Sequence, residues 1–208
     1  MYGFDEQTGA SAGGSRIPAG ITENVFLKDV MYEPLKADGT GDDVIKFLFS
    51  DTAGASFTHI EFPIDADRLT ELAKGWGKSQ ADAESYTKQQ FDAQGERIKH
   101  ILSCFIPKDK CVFRAANFKE FAEGVIKMVG DTYVDVPLRV KIVYKKNSQY
   151  TTFPNRAFKP FVQPMREPNR LVIDPKWDIV EAAQPDTSGD AWESNEKATA
   201  STADEAPW

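Results

Sequence analysis

Ser56-Phe57-Thr58-His59-Ile60-Glu61-Phe62 alternates with a period of two, the pattern of a half-buried β-strand. Just before it, Asp51-Thr52-Ala53-Gly54 is turn chemistry, and Val44-Ile45-Lys46-Phe47-Leu48-Phe49 is a second strand. Further back, Asp38-Gly39-Thr40-Gly41-Asp42-Asp43 is another polar turn. Val25-Phe26-Leu27-Lys28-Asp29-Val30-Met31-Tyr32 precedes it as a strand closed by Pro34. Three strands in succession, joined by short turns, predict an antiparallel meander.

Downstream of Phe62 the period changes. Asp65 is placed to cap a short helix running to about Lys74, with Leu69 and Leu72 inward. Ser79 with Asp82 three residues on resembles a capping box, opening a longer helix to about Phe105. Ile98, Ile101, Leu102 and Phe105 fall on one face of it, and Pro107 stops it. Asn117 with Glu120 caps a further helix, striped by Phe118, Phe121, Ala122, Val125 and Val129 and ended at Gly130.

The β pattern returns over Val134 to Lys146. Val136, Leu138, Val140, Ile142 and Tyr144 point one way there; Arg139, Lys141, Val143 and Lys145 point the other. An extended segment from Tyr150 to Val162 follows, broken by Pro154 and Pro160, and Leu171-Val172-Ile173 reads as a short edge strand. This order predicts a mainly β, α+β chain. The expected architecture is a five-stranded OB-like barrel with helices between strands 3 and 4, in an insert of about residues 65–130. The rival is an α+β sandwich with helices on one sheet face. Residues 1–20, rich in Gly, Ser and Ala, read as a flexible arm, and residues 21–183 as the body. Residues 184–208 lack apolar periodicity and read as a disordered acidic tail.

The net charge of -7 is unevenly distributed. Residues 178–208 hold eight acids and one Lys, leaving residues 1–177 balanced at 24 against 24. Within that body, residues 139–177 carry nine Lys/Arg and two acids, Glu167 and Asp174. A concentrated basic segment beside an equal and opposite tail points to an anionic partner.

No run of eighteen apolar residues exists, so no membrane partner is expected. The acidic start Met1-Tyr2-Gly3-Phe4-Asp5-Glu6 is unlike a secretory signal, so a cytoplasmic protein with free Cys104 and Cys111 is expected (host cytoplasm if viral).

Catalytic motifs are missing: there is no phosphate-cradling glycine loop, Gly-x-Ser-x-Gly, His-Glu-x-x-His or Cys-x-x-Cys. Gly41-Asp42-Asp43 reads as hairpin chemistry, and Asp65-x-Asp67 as a helix cap. A metal-dependent hydrolase would have to use Asp42, Asp43 or Asp65. His59, His100, Cys104 and Cys111 include all the His and Cys of the chain. A zinc site built from them is left open, although the Cys104 to Cys111 spacing speaks against it. The expectation is a non-enzyme without a cofactor.

What the basic segment does offer is cations interleaved with rings. Single-stranded nucleic acid needs both: cations follow the phosphates, and flat rings accept unstacked bases. Tyr144 shares a face with Val140 and Ile142 and reads as core, while Phe158 and Phe161 read as plugs of a barrel end. Tyr150 and Phe153, beside a hairpin turn, are the expected base stackers. Arg139, Lys141, Lys145, Lys146, Arg156 and Lys159 form the expected phosphate track, with Lys46, Phe57 and His59 as weaker candidates from the first sheet.

The chain closes on Asp204-Glu205-Ala206-Pro207-Trp208. The ring and carboxylate of such a tip can enter one pocket on a partner, with the acids meeting a basic rim. These five residues resemble the acidic, aromatic-ended tails of bacterial and bacteriophage single-stranded-DNA-binding proteins. The resemblance implies an OB barrel that binds single-stranded DNA in phage DNA replication, recombination and repair. It also implies a tail, here Asp204, Glu205, Pro207 and Trp208, that recruits polymerase or helicase-primase and competes with DNA. Homodimers fit the same family. This chain departs from it by ending in Trp where Phe is usual, and by its long helical insert. The competing expectation is a protein-interaction or virion structural component of a phage.

Overall fold

The computed structural model describes residues 15–36, 43–154 and 159–182. Among them run β1 (Gly20–Glu33), β2 (Val44–Asp51), β3 (Ser56–Glu61), α1 (Ala66–Gly75), α2 (Gln80–Leu102), α3 (Phe118–Val129), β4 (Leu138–Tyr144), β5 (Thr151–Thr152) and β6 (Val162–Pro164). The fold is α+β. Its sheet has the order β3-β2-β1-β4-β5, with β6 also paired to β4, and every strand pair is antiparallel.

β1 organises the sheet because it is long and shared. Its first part, Gly20 to Val25, pairs with β4, and Val25 to Glu33 pairs with β2. Register shifts fall at the handover, between Thr22 and Val25 and between Leu27 and Asp29, and Asn24 there adopts φ 55°. Such irregularities bend a strand and increase its twist. The bend lets one strand serve two halves of a curved sheet.

The sheet does not close into the expected barrel. Among the described residues β3 pairs with β2, and beyond it only the bridge Arg16↔Ser56 is made. Proline explains the opening. β5 is two residues long and β6 three, and Pro154, Pro160 and Pro164 interrupt the chain around them. Without an N–H, proline cannot extend a ladder. Among the described residues there are also six strands, not five, and Leu171-Val172-Ile173 is not a strand. At the other end, Ile17 is fully buried, so the body begins before residue 20.

Side chains occupy the unclosed side. Phe153, just after β5, packs against Phe49 at 5.4 Å, Phe57 at 4.9 Å, His59 at 4.9 Å and Phe161 at 4.7 Å. It therefore links β2 and β3 to the segment entering β6. Each fully buried Phe of this kind contributes roughly 1.5–3 kcal/mol.

The register sorts the two sheet faces. Leu27, Phe49 and Phe57 form one inward row; Val30, Phe47 and His59 form the next. Ile98, Ile101 and Leu102 of α2 and Ala122, Val125 and Val129 of α3 join the same core. The three helices lie between β3 and β4, as the change of period implies. Asp65, Ser79 and Asn117 each cap the following helix, accepting from the backbone N–H three residues on. Gly124 of α3 allows a close approach: a Cβ there would lie 2.3 Å from the Phe113 ring, which stacks on Phe121.

Candidate nucleic-acid interface

The β4–β5 hairpin presents Lys145, Lys146 and Tyr150 to solvent, with Tyr150 69 % exposed. Its turn is built locally. Lys145 N–H donates to the Tyr150 carbonyl, Ser148 N–H donates to the Lys145 carbonyl, and Asn147 supplies a positive φ of 55°. These three side chains stand where the sequence places them, on an exposed loop.

The other expected contacts are dispersed. Phe153 is 1 % exposed and Phe57 5 %, so neither ring is open to a base. Lys141 is also buried; its ammonium donates to Asp178 at 2.8 Å and to the Val172 carbonyl at 3.0 Å. The alternation that aimed Lys141 outward is overridden because residues 172–178 cover that face of β4. Arg139 donates to Glu23 at 2.7 Å and to the Glu167 carbonyl at 2.8 Å. Lys159 pairs with Asp174 at 2.6 Å, and Lys46 pairs with Glu33 on the outer face of the sheet. The basic segment is thus partly neutralised by its own fold. Phe161, expected to plug a barrel end, is buried in the core of the open sheet instead, and Tyr144, expected in the core, is half-buried. Arg156 and Phe158, with the tail residues Asp204, Glu205, Pro207 and Trp208, lie outside the described residues.

Beside the hairpin, along the edge of β3 that among the described residues is bridged only at Ser56, lies an open groove of about 650 Å³. His59, Glu61 and Phe153 line it together with Arg68 and Leu72 of α1, Arg97 of α2, and Lys145. Phe62 and Leu72 are each 47 % exposed there, and Ile60 39 %. α1 forms a wall because it starts only a few residues after β3 ends.

A buried polar network fixes one side of this groove. Glu61 Oε1 accepts from Arg97 Nε at 2.7 Å and from His59 Nε2 at 2.9 Å, and its Oε2 accepts from Arg97 Nη2 at 2.8 Å. Gln94 donates to Glu61 Oε2 at 3.2 Å and to the Phe62 carbonyl at 2.7 Å. Burial pushes the Glu61 carboxyl up, but the hydrogen bonds from Arg97 and His59 outweigh it and hold the group at about 2. Glu61 is therefore an anion already satisfied by its partners. The fork–fork geometry also orients Arg97.

The residues of the alternative chemistries do not converge. His100 donates from Nε2 to the Val162 carbonyl at 2.9 Å, and burial lowers its pKa. Cys104 and Cys111 are free and buried. Among the described residues no group of three or more His, Cys, Asp or Glu is placed to hold a metal ion. Asp65 is a helix cap, Asp43 hydrogen-bonds Tyr32, and Asp42 lies outside the described residues. No helix among the described residues is long and apolar enough to cross a membrane.

Arg68, Arg97 and Phe62 were not singled out by sequence, and Leu72, expected to face inward with Leu69, is instead 47 % exposed because Ala73 takes the buried position of α1. The available signal was local: Arg68 and Leu72 stand one turn apart on α1, immediately after the β3 alternation. In comparisons with known proteins, no protein-family model matches the chain, and neither a curated protein nor a solved structure was found to be similar to it.

Proposed function

We propose that this protein is a non-catalytic, largely sequence-independent binder of single-stranded DNA. The observation that carries the reading is the hairpin bearing Lys145, Lys146 and Tyr150 at the lip of the β3-edge groove, with Arg68 on its α1 wall. An unstacked strand offers regularly spaced phosphates and flat bases, and the groove and its lip supply cations, one exposed ring and apolar surface.

The acidic tail is read as a competitor for the same surface and as a recruiter of replication and recombination proteins. Tyr144 N–H donates to the Ile179 carbonyl, which brings the chain back beside Lys145 shortly before the acidic segment begins. A tethered competitor works at millimolar-scale effective concentration. The resemblance of the tip to phage single-stranded-DNA-binding proteins supports a setting in phage DNA replication, recombination and repair in the host cytoplasm, with homodimers as one assembly.

Anisotropy titration of labelled oligo-dT at low salt tests the reading. Binding that weakens with salt, and tightens on removal of residues 186–208, supports it. Absence of binding by either form contradicts it.

One observation favours a second reading, a protein-interaction or virion component. Two mainly apolar pockets adjoin between α2 and α3, sharing Phe91, Gly95 and Phe121, with Phe91 46 % and Val112 69 % exposed. Large assemblies sedimenting without DNA would support that reading instead.

A further inference from the structure

Trp76 stands at the corner between α1 and α2 and is 57 % exposed. The backbone sets it at the very end of the helix. Trp76 is the C-cap of α1, its N–H donating to the carbonyls of Leu72 and Ala73, and Gly77 then reverses the chain at φ +81°. That positive φ is available to glycine at little cost. Ala73 is the only buried residue of α1, so the indole is not needed to fill the interior.

The ring is nevertheless held in place. Tyr86 of α2 meets it edge-on, with centroids 5.6 Å apart and planes at 74°, and Lys78 places its ammonium 5.9 Å from the Tyr86 ring. An aromatic pair of this geometry restrains both side chains. Position matters as well. Leu72, one helical turn before Trp76 on α1, lines the β3-edge groove, so the corner continues the groove wall by about 6 Å along the helix axis.

We infer that Trp76, set by Tyr86, is a base-stacking platform that extends the nucleic-acid track beyond the groove, and that its ligand is an unstacked base of a strand already held at the hairpin. This rests on the single-stranded-DNA reading and adds a residue and a longer binding site to it. Lys78 lies beside Tyr86, and Lys74 and Glu71, of opposite charge, share the exposed surface of α1. The contact is consequently carried by stacking more than by charge. The ring contributes to affinity but little to salt dependence.

The test is an oligo-dT length series, titrated by anisotropy with wild type, Trp76→Ala, Trp76→Phe and Lys145→Ala in both full-length and tail-less protein. Trp76→Ala is expected to bind the shortest oligomers like wild type and to lose roughly five- to hundred-fold on longer ones, with an unchanged salt slope. Trp76→Phe is expected to recover much of the loss. Intrinsic fluorescence gives a second readout independent of the alanine variant's fold: long oligo-dT should quench wild type more than Trp76→Phe. Equal binding by wild type and Trp76→Ala at every length, with equal quenching in Trp76→Phe, overturns the assignment. If Lys145→Ala is weakened in that same experiment, the groove reading survives it. If wild type binds no oligomer even without its tail, both fall.

Discussion

Glu61 of β3 and Arg97 of α2 form a two-point ion pair, at 2.7 and 2.8 Å, that ties the open edge of the sheet to the helical insert. The Glu61 side chain is 5 % exposed, so the pair works with little solvent screening. Breaking such a pair leaves a buried charge without its partner, which costs more than the pair's net contribution.

Glu61→Gln should therefore destabilise the fold by about 3 kcal/mol at neutral pH. The sign with pH follows from the lowered carboxyl, ordinarily 4.5 and held at about 2. Its stabilisation is complete above the unfolded value and is lost as pH falls from about 4.5 towards 2. Urea unfolding of wild type and variant at pH 7 and at pH 3 checks this. The gap between them should shrink at pH 3.

Phe153 and Tyr150 should behave oppositely although they are three residues apart. Phe153→Ala removes the hub of the aromatic cluster and should cost about 3–5 kcal/mol of stability. Tyr150→Ala should leave stability within about 0.5 kcal/mol and weaken oligo-dT binding by about 1–3 kcal/mol. Chemical unfolding and anisotropy on the same preparations separate the two effects.

Lysines of the basic segment should divide in the same way. Lys145→Ala and Lys146→Ala should each reduce the log–log salt slope of binding by about 0.7, the share of one phosphate on a single strand. Lys141→Met should leave the slope unchanged and cost about 3–5 kcal/mol of stability by stranding Asp178.

The Cys104 thiol is pushed up to about 12, chiefly by burial, and burial also raises Cys111. Native protein at pH 8 should therefore resist iodoacetamide at Cys104, since roughly one thiol in ten thousand is ionised there. Alkylation should proceed once the chain is unfolded in urea, and mass spectrometry of the two reactions reads the difference.

These contrasts show what was legible in the sequence. The helix caps Asp65, Ser79 and Asn117 were, because a cap is a contact over three residues. The first three strands and the helical insert were legible from their periods. The fate of Lys141 was not, because its partner Asp178 lies 37 residues away and strand alternation alone aims the lysine at solvent. Phe153 failed for the same reason: whether a ring beside a hairpin is exposed depends on what approaches from β2, β3 and β6. The missing barrel closure was partly visible, since Pro154 and Pro160 already marked the strand that would have had to close it. The groove was the least accessible, because Arg68 and Arg97 come from helices that the sequence presents only as a flanking insert.

On the proposed function, a single DNA strand occupies the β3-edge groove and the acidic tail opposes it. An anisotropy titration of oligo-dT with full-length protein and with protein lacking residues 186–208 decides between the two outcomes. Binding should be salt-sensitive in both, tighter without the tail, and weakened in both by Arg68→Ala with Lys145→Ala. No binding by either form, or binding indifferent to those two substitutions, would contradict it.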